Sequence, residues 1–317
     1  MGSRHQPVLL HEVAHALTVQ KDDIVVDATL GGGGHAVELV KGLGGNGLFI
    51  GFDADADAIP RTQKVLEGCH IPIHLINANF RHLAGELHKL NIRRITKVLF
   101  DLGWSSYQLD SGRGFSFLKD EPLRMTYAKE DSALTAEVVV NTWSESSLAD
   151  VIYGFGEERY ARRIAKAIVT HRVKTPFKTS RELAEVIYAT VPPVYRKGRL
   201  HPATRTFQAL RIAVNDELGA LSEGLRAARE LLEDGGRIAV ISFHSIEDRI
   251  VKQTFVKWEK EGSGHRVTKK PITPTPEEID RNPHARSAKL RVIEKISYES
   301  PHTKNKQIRP FDIPGEA

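Results

Sequence analysis

The sequence predicts an α/β fold: a mainly parallel sheet flanked by helices and interrupted by a large helical insertion. Over the first hundred residues, short β-branched runs alternate with helical stretches, the pattern of βαβ units. That alternation stops at Gly103 and resumes only near Asp216, so a long segment separates two parts of one sheet domain. The length of 317 residues agrees, since ~150 residues per domain gives about two domains. The chain therefore divides into a first core part (1–109), an inserted helical domain (110–215), a second core part (216–299) and a tail (300–317) expected to be mobile.

Ile24 to Leu30 (IVVDATL) reads as a buried strand, and Gly31 to Gly34 as a turn into a helix from His35 to about Leu43. Leu48 to Asp53 (LFIGFD) is a second strand, followed by a helical pattern to Leu66. Ile71 to Ala78 is a third strand and Lys97 to Leu102 (KVLFDL) a fourth. The insertion reads as mostly helical. Within it, Glu157 to His171 sets Tyr160, Ile164, Ala167, Ile168 and His171 on one stripe. Arg159, Arg162, Arg163 and Lys166 fall largely elsewhere, which predicts an amphipathic helix with a basic outer face. A helix from about Asp216 to Leu232 and a strand from Arg237 to Phe243 (RIAVISF) then resume the sheet. After a helix from about Ile246 to Lys260, Gly262 to Ala285 holds four prolines and reads as loop, and Ser287 to Ile296 as a closing strand.

The composition, 40% hydrophobic with 25 glycines, excludes disordered and fibrous classes. The lone Cys69 excludes an internal disulfide framework and any Cys-rich metal cluster; it reads as a small buried residue in a reducing, cytoplasmic setting. The apolar runs are far shorter than the ~18 residues of a membrane span, and the N-terminus lacks a signal-peptide pattern. The net charge of +5 conceals an asymmetry: Glu157 to Arg211 holds 13 Lys/Arg against 4 Asp/Glu. Such a segment fits either a polyanionic partner or a solvated helical face.

A strand running into glycines at a helix start is a nucleotide-binding corner. Gly31, Gly33 and Ala36 satisfy G-x-G-x-x-G/A, and Asp53 lies 20 residues after Gly33, so an NAD-linked dehydrogenase must be considered. Against it, Asp27 at the end of the first strand suits an amino group better than a pyrophosphate, which favours S-adenosylmethionine. Asp53 would then take the ribose hydroxyls and Phe80 pack by the adenine or in the core. Asp101 closes the fourth strand, where open α/β sheets place their chemistry, and is expected beside the sulfonium or the group being methylated. His11-Glu12-Val13-Ala14-His15 matches a zinc-binding H-E-x-x-H, but no continuation follows, and no metal is expected.

Seven stretches in order give the chain a family resemblance: His5 to Glu12 (HQPVLLHE), Asp27 to His35 (DATLGGGGH), Asp101 to Gln108 (DLGWSSYQ), Gly112 to Phe117 (GRGFSF), Gly156 to Ile168 (GEERYARRIAKAI), His201 to Leu218 (HPATRTFQALRIAVNDEL) and Ser242 to Lys252 (SFHSIEDRIVK). Through them the chain resembles the RsmH (MraW) family of bacterial 16S rRNA cytosine-N4 methyltransferases. The resemblance implies a class I, Rossmann-like methyltransferase fold with an inserted helical domain. It implies S-adenosylmethionine contacts at Gly33, Gly34, His35, Asp53, Phe80, Asp101 and Gln108, with S-adenosylhomocysteine as product. It also implies the acceptor, the cytidine conventionally numbered 1402 in the decoding region of the small ribosomal subunit.

On that reading Asp101 is the expected polarising acceptor or sulfonium neighbour, with Ser105, Ser106 and His244 shaping the cytosine pocket. Arg163, Lys166, Arg172 and Arg205 are candidates for gripping RNA phosphates. Asp101-Leu102-Gly103-Trp104 stands where DNA amino-methyltransferases carry D/N/S-P-P-Y/F. Neither DNA nor membrane is an expected partner, and a homodimer is compatible with the sequence. A non-catalytic rRNA-binding module is the other competing class. One stretch departs: where the family usually has Pro-Leu-Asp-Met-Arg-Met-Asp, this chain reads Pro122-Leu123-Arg124-Met125-Thr126-Tyr127-Ala128.

Overall fold

A computed structural model describes residues 7–103, 106–127 and 134–297. Trp104, Ser105, Ala128 and the tail from Ser300 lie outside the described residues. In the first core part α1 (Leu10–Leu17), β1 (Ile24–Asp27), α2 (Gly34–Val40), β2 (Leu48–Asp53), α3 (Ala58–Val65), β3 (Ile73–Asn77), α4 (Leu83–Lys89), β4 (Ile95–Asp101) and α5 (Ser106–Leu109) follow in order. The next elements are all helical: α6 (Ala136–Thr142), α7 (Glu145–Gly156), α8 (Ala161–Arg172), α9 (Ser180–Thr190), α10 (Pro193–Arg196) and α11 (Thr204–Asn215). Then come α12 (Glu217–Leu231), β5 (Leu232–Ser242), α13 (Ser245–Lys260), β6 (Gly264–Arg266), α14 (Pro276–Arg281) and β7 (Lys289–Lys295).

The strands form one sheet in the order β3-β2-β1-β4-β5-β7-β6. β1 to β5 pair in parallel, while β7 runs antiparallel to β5 and β6 antiparallel to β7. This mostly parallel seven-stranded sheet is a class I methyltransferase fold. Successive strand residues feed opposite faces: Val26, Val98, Phe100, Ile238 and Val240 enter one core, while Val25, Leu99, Ala239 and Ile241 enter the other. A third cluster, including Phe115, Val139, Ile152, Ile164, Phe177, Ile187 and Phe207, has no strand in it and is the core of the helices between β4 and α12. On α8, Ala161, Ile164, Ala165 and Ile168 are buried while Arg162, Arg163 and Lys166 are exposed.

Two expectations need correction. Gly262 to Ala285 is not plain loop: it holds β6 and α14, and Thr275 caps the latter by accepting from Glu278 N–H at 3.2 Å ahead of Pro276. A Thr-Pro-Glu-Glu start is a readable helix signal, which the surrounding prolines masked. Cys69 is exposed rather than buried, because it follows Gly68 (φ +89°) in the turn before β3.

Candidate active site

Three carboxylates end three adjacent parallel strands: Asp27 on β1, Asp53 on β2 and Asp101 on β4. They meet at the crevice where the strand order reverses, between β1 and β4. Asp53 organises the loops around it: Oδ2 accepts from Gly31 N–H and Oδ1 from Asp55 N–H, both at 2.8 Å. Burial pushes its carboxyl up to about 6 despite these donors. The glycine loop is pressed from two sides. A Cβ on Gly33 (φ +78°) would lie 2.6 Å from Val65 Cγ2, and one on Gly34 2.3 Å from Pro7 Cγ, so a larger residue would push these side chains aside and, at Gly33, strain the backbone.

Asp27 is 1% exposed. Its Oδ1 accepts from Thr29 N–H at 3.1 Å, while Oδ2 is buried with no hydrogen-bond partner among the described residues. Burial raises its pKa to about 7, offset only in part by His35 and the Thr29 N–H. The His35 Nε2 stands 3.5 Å from Asp101 Oδ2, an ion-pair separation rather than a good hydrogen bond. Burial opposes protonation of this imidazole, but Asp101 and Asp27 outweigh it and raise its pKa. Among the described residues, neither ring nitrogen nor Asp101 Oδ1 meets a hydrogen-bond partner of good geometry. Buried polar groups are nearly always paired, so this cluster of orphaned atoms marks a place for a polar ligand.

One cavity runs over these groups. Its near part is walled by the Gly31 loop, His35, Asp53 and Phe80, whose ring packs edge-on against Phe100 with centroids 5.4 Å apart. Its far part is walled by Gly103, Gln108, Tyr127, Asn215, Glu217, Phe243 and Glu247. Here α11 and α12 meet through a polar network that includes α13. Arg211 Nε and Nη2 donate to the two oxygens of Glu217 at 2.9 and 3.0 Å, and Tyr127 Oη–H donates to Glu217 Oε1 at 2.8 Å. Glu247 Oε2 accepts from Phe243 N–H at 2.9 Å. Burial alone would raise the Glu247 carboxyl, but His244, Arg211 and that N–H hold it below the ordinary range.

Glu217, His244 and Glu247 offer ligand atoms within 4.8 Å of one another. Most of their donor capacity is nevertheless engaged, although His244 Nε2 has no hydrogen bond of good geometry among the described residues. Arg211 occupies both oxygens of Glu217, and His244 Nδ1 accepts from Glu247 N–H at 3.3 Å, which leaves the imidazole proton on Nε2, 3.1 Å from Glu247 Oε1. A cation would have to displace a guanidinium and a proton together.

Comparison with known proteins decides the family. The profile of the MraW methylase family matches residues 2–296. The chain is 43% identical over 314 residues to "Ribosomal RNA small subunit methyltransferase H" of Clostridioides difficile (strain 630), covering 93% of this chain and 100% of that protein. It is 46% identical to the protein of the same name from Persephonella marina, over 92% and 99%, and 47% identical to that from Coprothermobacter proteolyticus, over 92% and 96%. The chain belongs to the MraW methylase family. The dehydrogenase reading of its glycine loop falls with that assignment.

In this methylase, Gly31, Gly34, His35, Asp53, Phe80, Asp101 and Gln108 share one cavity wall, while Asp27 and Gly33 lie immediately behind it. Ser105 and the Ser106 side chain lie outside the described residues. His244 is spent as the N-cap of α13, and its neighbours Phe243 and Glu247 form the wall instead. Tyr127, Asn215 and Glu217 were not singled out from the sequence. Asn215 and Glu217 stand in the Asn215-Asp216-Glu217 run of a quoted motif, whereas Tyr127 sits in the stretch that departs from the family. Of the four basic candidates, Arg163 and Lys166 are exposed on α8. Arg172 donates to the Val140 carbonyl at 2.8 Å, and Arg205 to the Glu157 carbonyl, which makes both part of the framework of the methylase insertion. His11 and His15 are exposed on α1.

Proposed function

We propose that this methylase transfers a methyl group from S-adenosylmethionine to N4 of a cytidine in 16S rRNA, the position conventionally numbered 1402 in the decoding region of the small subunit. The observation that carries the cofactor is the orphaned set Asp27 Oδ2, His35 and Asp101 Oδ1 beside the glycine loop. A zwitterionic amino acid moiety with an ammonium fits this set, and Asp53 suits ribose hydroxyls. The names of the relatives support the rRNA, and the family resemblance supports the cytidine.

When bound, the cofactor supplies a methyl carbon on a sulfonium. The chain's residues then act by position. Transfer needs the N4 lone pair, methyl carbon and sulfur in line, and orientation alone can supply about 7 kcal/mol or more. Cytosine N4 has a lone pair delocalised into the ring. Asp101, at the mouth of β4, accepts an N4 hydrogen as nitrogen pyramidalises, and the carbon–sulfur electron pair leaves with sulfur. The base leaves its stack to enter the cavity. The exposed α8 residues Arg163 and Lys166 hold phosphates.

The test is incubation with labelled S-adenosylmethionine and unmethylated small subunits, with nuclease digestion and mass spectrometry of the product. N4-methylcytidine at one decoding-region site is expected; no transfer to subunits or naked 16S RNA defeats the reading.

Two results follow. Ionised Asp27 is the form that binds an ammonium, so cofactor affinity should fall as pH drops through about 7. Stability of the ligand-free protein runs the other way. The folded pKa lies above the ordinary aspartate value of about 4, so Asp27 contributes fully below about 4 and its contribution is lost as pH rises through about 7. Calorimetric titration across pH 5.5–8, with Asp27→Asn as the flat control, checks the first; melts over pH 4–7.5 check the second. Separately, Arg163→Ala and Lys166→Ala should each weaken RNA binding and reduce the slope of log K against log salt by about 1. An unchanged slope removes α8 from the RNA interface.

A further inference from the structure

The cavity has a wall that its chemistry has not yet used: the strap 122–127, which brings Tyr127 to the cavity. We infer that Arg113 is a positioning residue that holds this acceptor wall in register with the turn carrying the cofactor's ribose; the inference rests on the methyl-transfer reading above.

Arg113 touches both sides of the cavity's rim. Its Nη2 donates to Asp55 Oδ2 at 2.7 Å, its Nη1 to the Tyr127 carbonyl at 2.8 Å and its Nε to Ser111 Oγ at 2.9 Å. The side chains of Arg113 and Asp55 are 12% and 2% exposed, so this charge pair is largely shielded from solvent, with Arg61 3.9 Å from the same Asp55 oxygen. Asp55 N–H in turn donates to Asp53 Oδ1, the carboxylate expected to take the ribose. The Arg113 carbonyl accepts from Met125 N–H at 2.8 Å. A continuous path therefore runs from Asp53 through Asp55 and Arg113 to Tyr127, whose hydroxyl ends on Glu217 and whose ring stacks on Phe115 at 5.6 Å.

The strap needs such a tie. Met125 is buried at φ +56°, a conformation unfavourable for a side chain of its size, and it persists only where neighbours enforce it. Arg113 supplies one restraint and Asn215 another, donating to the Met125 carbonyl at 2.8 Å and accepting from Tyr127 N–H at 2.9 Å. These bonds go to strap backbone, as do those from Ala136 N–H to the Arg124 carbonyl and Glu137 N–H to the Leu123 carbonyl. Lysine could keep the charge beside Asp55, but it lacks the fork that also reaches the Tyr127 carbonyl and Ser111.

An error of about 1 Å in an in-line geometry can cost about a hundredfold in rate. In Arg113→Lys, single-turnover methyl transfer at saturating cofactor and subunits should fall about 30- to 100-fold. Cofactor and RNA dissociation constants should each change by less than about threefold, the range of ordinary context effects. Hydrogen exchange at the Met125 and Tyr127 amides should accelerate in the variant, with secondary structure retained by circular dichroism. Arg113→Ala should lose more rate than Arg113→Lys. Unchanged exchange at both amides, or accelerated exchange with an unchanged transfer rate, overturns the inference. A wild-type protein that transfers no methyl to small-subunit RNA defeats the substrate reading instead, and the exchange comparison then decides alone whether Arg113 holds the wall.

Discussion

Asp101→Ala is expected to lower the single-turnover rate of methyl transfer by about 10²- to 10⁴-fold, the contribution of a positioned proton acceptor. The expectation rests on place: Asp101 is the last residue of β4, with its N–H donated to Thr29 Oγ1 at 2.7 Å and Oδ1 turned from any protein partner of good geometry. Asp101→Asn keeps the shape and removes the charge, so it should behave as Asp101→Ala does if proton acceptance matters. If Asp101 serves only as a neighbour of the bound cofactor, the loss should appear in the cofactor dissociation constant, with the saturated rate within a few-fold of wild type. Rapid-quench measurement beside calorimetric titration separates the two. Retention of both constants would take Asp101 out of the reaction altogether.

Arg211→Ala should be the most destabilising single change at the boundary between insertion and core, by about 3–5 kcal/mol. Arg211 is 5% exposed and bonds both oxygens of Glu217, on the helix that resumes the sheet domain. Without the guanidinium, Glu217 keeps the Tyr127 hydroxyl but stays a partly buried carboxylate near Glu247 with no cation to balance it. Arg211→Met with Glu217→Gln removes both charges and should recover most of the loss, because the cost lies in the stranded charge rather than in the bond. Urea melts of the three proteins are the check. Equal stability of Arg211→Ala and wild type would mean that the network closes without Arg211.

Much of this was legible in the residues. Strands with buried, β-branched or aromatic interiors reveal themselves by composition, and the loss of that alternation at Gly103 reveals the helical insertion. Asp27, Asp53 and Asp101 could be picked out because a carboxylate at the end of an apolar strand is costly without a purpose. The stretch that departs from the family at Arg124 left the role of that loop open, because the Arg113 and Asn215 side chains that bond its backbone come from elsewhere in the chain. Equally, α14 and the exposure of Cys69 escaped a local reading, since each depends on what the neighbouring turn does.

By itself, then, the sequence determined most strands of the sheet, the break in their alternation after β4, and the family, because periodicity and motif spacing are properties of neighbours along the chain. Tertiary structure alone decided which groups face one another. It turned His244 into a helix cap, gave Arg172 and Arg205 carbonyl partners, and joined Arg113 to Asp55 across 58 residues and Arg211 to Tyr127 through Glu217. The pairing of a buried charge is settled by three-dimensional distance and desolvation, and neither quantity is written in local spacing.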